Sequence, residues 1–123
     1  MILNETEAKN YLYQAGFRGS ALNAAVRIAW CESGLNTQSH NTTGEDSRGL
    51  MQINVASNAN PQYTSYDLFN PVINTQVAFK IYNAWGKNFG AWTCAHTLGL
   101  VNPENNIGIG IAFLIGALLY SQS

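Results

Sequence analysis

The chain has 123 residues, of which 46% are apolar and only 11% charged, and its formal net charge is −1. That length suits one domain with a single core. So small a charge gives no electrostatic pull toward nucleic acid or an anionic surface, which sets polyanion partners aside and is compatible with a mostly neutral sugar polymer.

The N-terminal stretch Met1–Glu7 has neither a basic region nor a long apolar run, so no secretory signal is visible. Asn4 is placed to cap a first helix, with Glu5 and Glu7 in its first turn. Ala8, Tyr11, Leu12 and Ala15 follow at helical spacing, and Gly16 ends the run. Ser20 is expected to cap a second helix whose core stripe is Leu22, Val26, Ala29 and Trp30, with Gly34 as its stop. Residues 36–47 have loop composition, and Leu50 to Ile53 read as a short strand or the opening of a helix. Asn70 and Pro71 are a strong start for a third helix, running to about Trp85 and burying Val72, Val77, Ala78, Ile81 and Trp85. A last helix from Pro103 to Tyr120 would be about 27 Å long. Its uncharged part is about 21 Å, short of the roughly 30 Å of a bilayer core. Gly108, Ala112 and Gly116 would lie on one face, which suits close packing in a soluble core or in a membrane. Both readings stay open: residues 101–123 either pack on a catalytic domain of residues 1–100 or anchor it to a membrane or virion.

Two cysteines, Cys31 and Cys94, allow one disulfide, worth about 4 kcal/mol on the chain-entropy view, or stand as two buried thiols. His40 and His96 have no ligand partners at metal spacing, so neither a metal nor a cofactor is expected.

Glu32 carries the chemistry. It ends an apolar helical run, where burial and the negative helix terminus both favour the protonated carboxyl. A carboxylic acid that keeps its proton near neutral pH is what glycosidic cleavage requires as a general acid. Residues 27–36, Arg-Ile-Ala-Trp-Cys-Glu-Ser-Gly-Leu-Asn, followed by residues 47–54, Ser-Arg-Gly-Leu-Met-Gln-Ile-Asn, resemble the catalytic helix and second motif of the soluble lytic transglycosylase family within the lysozyme superfamily. Leu68 to Asn74 and Gly90-Ala91-Trp92-Thr93-Cys94 are similar to its compact phage and actinobacterial members, so the likeness covers roughly residues 8–94.

The resemblance implies a mainly α, α+β lysozyme-like fold: a helical domain with a small loop or hairpin region beside a cleft. It implies cleavage of the β-1,4 bond between N-acetylmuramic acid and N-acetylglucosamine in peptidoglycan, with Glu32 as the acid. Ser33 would orient substrate or carboxylate, Gln52 and Asn54 would bind the sugars, and Met51 would line the cleft. Gly49 would leave room for a sugar ring. Trp92 is a candidate for stacking on sugar, and the motif lays Trp92 to Cys94 against the catalytic helix. Tyr82, in Ile-Tyr-Asn-Ala, is similar to the family's third motif but sits nearer the second motif than is usual. Each residue also has a plainer reading: a solvated helix-end Glu32, turn amides at Gln52 and Asn54, and a core Trp92.

A second carboxylate, needed by ordinary glycosidases, would be Asp46 or Glu45. Where animal-type lysozymes carry an aspartate, this chain has Ser47, which favours the one-acid transglycosylase form with its 1,6-anhydro product. Hydrolysis, a non-catalytic virion or membrane protein on the same fold, and a sugar-binding module are the alternatives. A wall enzyme without an export signal fits carriage in a phage virion or release through a lysis pore.

Overall fold

The computed structural model describes residues 1–104. Its first helix, α1 (Glu5–Ala15), starts in a capping box. Asn4 Oδ1 accepts from the Glu7 amide and Glu7 Oε1 accepts from the Asn4 amide, each at 2.8 Å. Two amides that the helix itself leaves unpaired are satisfied in this way.

Helix α2 (Gly19–Ser33) begins one residue before the expected cap. Arg18 holds the N-cap position without a side-chain bond, because a guanidinium has no acceptor to offer a helix amide; it folds back onto the Tyr13 and Phe17 carbonyls and over the Tyr13 ring. Ser20 is therefore inside the first turn. The buried face holds Leu22, Ala25, Val26, Ile28 and Ala29, while Trp30, expected in the core stripe, is 58% exposed. It shares the outward face with Asn23 and Arg27, seven and three residues before it along the helix. Gly34 closes α2 in the left-handed conformation.

The loop region contains a small antiparallel sheet of β1 (His40–Asn41), β2 (Ser47–Arg48) and β3 (Ile53–Asn54), in the order β1-β2-β3. Asn41 faces Ser47, and Ser47 faces Asn54. Gly49 to Gln52 form the tight turn between β2 and β3, so the strand starts at Ile53 rather than at Leu50. A 3-10 turn, Pro61–Tyr63, then leads toward α3 (Pro71–Ala84).

Asn70 Oδ1 caps α3 through the Val72 amide at 2.9 Å, with Pro71 in the first turn. Val77, Ala78 and Ile81 are buried as their spacing predicts, and Tyr82, read from the sequence as a candidate binding residue, is buried with them. Val72, in the first turn, and Trp85, at the cap, are exposed, because both lie at the ends of the helix beyond the packed middle. Helix α4 (Thr93–Leu98) is too short to show a period and was not foreseen from the sequence.

Helix α1 packs on α2 and α3, and α4 packs on α2. Phe17, Phe79, Tyr82, Phe89 and Trp92 form a chain of ring contacts through the core. Mostly helical with one small sheet, the chain has the α+β architecture that the resemblance implies. Of the helix expected from Pro103 to Tyr120, all but its first two residues lie outside the described residues, and with them the choice between core and anchor.

Candidate active site

Three elements meet at Glu32. It is the penultimate residue of α2, beside the left-handed Gly34. Its side chain is partly buried, and Oε2 accepts the Cys94 amide at the start of α4 at 3.1 Å. Oε1 accepts no hydrogen bond from the described residues. Burial pushes the carboxyl above the ordinary glutamate range, the Cys94 bond pulls the other way, and the negative charge of Glu45 pushes it up again. The group is thus disposed to hold a proton.

A disulfide between Cys31 and Cys94, with a Cα separation of 6.0 Å, fixes α4 to the end of α2. The residue before Glu32 is therefore tied to the residue that supplies its hydrogen-bond donor. Trp92, two residues earlier, donates from Nε1 to the Met51 carbonyl at 2.8 Å. The segment from Trp92 to Cys94 thus joins the second motif to the candidate acid.

Several motif residues serve inside the protein. Ser33, expected to touch substrate or carboxylate, instead donates from Oγ to the Leu50 carbonyl at 2.6 Å and ties α2 to the motif turn. Met51, expected to line the cleft, is fully buried; an unbranched side chain filling the core leaves no surface for a ligand. Gly49 makes room for protein rather than sugar. A Cβ there would lie 2.0 Å from the Leu68 carbonyl oxygen and 2.5 Å from Asn74 Nδ2, and its φ of +78° suits glycine.

Asn74 is the residue that sequence reasoning passed over. It has no exposed surface, and both its amide hydrogens and its amide oxygen are engaged. Oδ1 accepts the Met51 amide, and Nδ2 donates to the carbonyls of Arg48 and Leu68, each at 2.9 Å. A side chain on α3 therefore holds the motif turn in shape. Its only sequence signal is an asparagine at a position of α3 that otherwise reads as core-facing.

Gln52, Asn54 and Trp92 line one depression, together with Asn60, Ile81 and Ala91. Gln52 has a left-handed backbone, with φ of +50°, and its Nε2 donates to the Ser39 and Gly49 carbonyls. Asn54 Oδ1 accepts the Asp46 and Ala56 amides. Gln52 Oε1 and Asn54 Nδ2 make no hydrogen bond to the described residues. An acceptor and a donor are thus available at the depression, the pair that sugar amides and hydroxyls need. Trp92 is only 4% exposed, so almost none of its ring is open to a ligand. Tyr82 packs among Phe17, Phe79 and Phe89 and lines a different pocket, with Gly86, Lys87, Asn102, Pro103 and Glu104.

The two hairpin carboxylates differ. Asp46 is gripped by Arg48 through both oxygens, at 3.0 and 2.8 Å, and by His40 at 2.8 Å. The Arg48 bonds, helped by His40, hold its carboxyl down at about 2. Glu45 accepts from Ser47 Oγ and from Asn41 Nδ2, and its charge is the one felt by Glu32.

Residues 9–94 match a protein family described as a lysozyme-like domain. The chain belongs to that family. Neither the curated proteins nor the solved structures contain a match to it. Membership makes the lysozyme-like domain a glycosidase domain directed at peptidoglycan, and the region matched runs from α1 to the cysteine that binds Glu32.

Proposed function

We propose that the domain cleaves the β-1,4 bond between N-acetylmuramic acid and N-acetylglucosamine as a lytic transglycosylase. Glu32 protonates the leaving oxygen as the bond to the anomeric carbon breaks. The resulting carboxylate then takes the proton of the muramic 6-hydroxyl while that oxygen closes on the anomeric carbon. The proton count returns to its start, no water is consumed, and the product carries a 1,6-anhydro ring.

The observation that carries this reading is the contrast among three carboxyls. Only Glu32 keeps an oxygen without a partner among the described residues, in a setting that favours its proton. Asp46 and Glu45 are each engaged within the hairpin. Gln52 and Asn54 supply the polar contacts to sugar.

A second reading has one observation in its favour. Glu45 acts electrostatically on Glu32, so a hydrolase would use Glu45, not the clamped Asp46, to place water. Digestion of purified peptidoglycan followed by mass spectrometry separates the two, because the anhydro product is lighter by one water. Hydrated products alone would overturn the transglycosylase reading. Delivery to the wall in a phage virion, or by release from a lysing host, is part of the proposal.

A further inference from the structure

Trp85 is the cap residue of α3, and 52% of its surface is exposed. It lies one helical turn beyond Ile81, which lines the depression of Gln52, Asn54 and Trp92. A large exposed indole beside a polar depression invites a ligand, and here the indole is also seated.

The seat is Gly90. A Cβ at that position would come within 2.9 Å of the indole ring and 2.9 Å of Asn88 Oδ1. Gly90 has no left-handed φ, so its backbone does not demand glycine; the closeness of these side chains does. Asn88 clasps both sides of the seat, donating from Nδ2 to the Trp85 carbonyl and accepting the Gly90 amide at 2.8 Å. The Gly90 carbonyl lies 2.9 Å from His96 Nε2 on α4.

The same stretch of chain then reaches the candidate acid. Ala91 lines the depression, and the Cys94 amide donates to Glu32. From Gly90 to Cys94 an extended chain covers at most about 14 Å, a span of a few sugar rings. An aromatic face held by its own backbone loses little freedom when a ligand packs on it. Such faces suit partners with one apolar and one polar side, as a pyranose has.

We propose that Trp85 is a stacking platform for a pyranose ring of the glycan strand, beside the depression and away from the bond that is cut. The proposal rests on the peptidoglycan reading and adds a subsite to it. It accounts together for an exposed tryptophan, for Gly90 and for the Asn88 clasp.

The test is the affinity of the uncut complex. In the Glu32→Gln chain, calorimetric titration with N-acetylglucosamine oligomers, from disaccharide to hexasaccharide, should show affinity rising with length. Adding Trp85→Ala should cost the longest oligomers about three- to ten-fold in affinity. Trp85→Phe should restore most of that loss. Gly90→Ala, which drives the indole from its seat, should also weaken the long oligomers. Equal affinity of Trp85→Ala and its parent at every length overturns the platform. Should Trp85→Ala fail to fold, Gly90→Ala decides alone: a loss supports the proposal, and parental affinity overturns it. Product analysis on peptidoglycan tests cleavage separately. A chain that cuts nothing yet loses oligomer affinity with Trp85→Ala would keep the platform and lose the mechanism.

Discussion

Glu32 is held between opposing influences, and the balance determines when it can act. Its ordinary value is 4.5; burial and Glu45 raise it, and the Cys94 bond lowers it. As a proton donor it works only while protonated, so activity should fall as pH rises through its raised value. Glu32→Gln should cost at least about a hundredfold in turnover, since an amide cannot donate the proton. The same variant should melt no lower than the parent near neutral pH. A carboxyl with a raised folded-state pKa stabilises fully below its unfolded value, and that contribution is lost as pH climbs through the folded value. The amide escapes that loss, and scanning calorimetry of the two chains checks it. Glu45→Gln removes a negative charge that Glu32 feels, so the alkaline limb of the rate profile should move to lower pH. Turnover on the acid side should persist if one carboxyl suffices; its collapse would select the hydrolase.

Among the elements, the β2–β3 turn depends on α3 more than on its own strands. Each of these strands is two residues long, so the ladder alone holds little. Asn74 provides what the ladder lacks, pairing the Met51 amide and the Arg48 and Leu68 carbonyls away from water. Asn74→Ala would leave these groups buried without partners and should destabilise the domain by about 2–4 kcal/mol in a urea titration. A loss within about 0.5 kcal/mol would mean that the turn satisfies itself. Gly49 belongs to the same arrangement, because the turn approaches the Leu68 carbonyl too closely for any side chain.

For the whole molecule, the Cys31–Cys94 disulfide is the longest covalent tie, with a sequence separation of 63. It closes α4 onto α2 around a loop that contains the whole sheet and α3. On the chain-entropy view, a loop of that size contributes about 4 kcal/mol. Replacing both cysteines by serine should lower stability by that order, read from unfolding curves of the two chains. The low charge content leaves this tie and the apolar core as the main supports, with surface ion pairs among the described residues confined to the Asp46 cluster.

Local chemistry by itself determined a good part of this protein. The Asn4 capping box, the Asn70-Pro71 start and Gly34 act through nearest neighbours, so three helices were legible from residue order. Glu32 and the second motif were legible as a pair because their residue types and spacing match a known family. The remainder depended on contacts between residues far apart in the chain. Met51 looked like a cleft residue until packing buried it, and half-buried Ser33 proved bonded to the Leu50 carbonyl. Asn74 resembled any polar helix residue, and α4 was too short to show a period. Glu45 and Asp46 were both candidates until Arg48 and His40 gripped one of them. Trp85 followed the core-facing spacing of α3, yet it sits at the helix end, where neighbours cover only one side. Spacing along a chain records which face of an element a residue occupies. Only the assembled core decides whether another element covers that face.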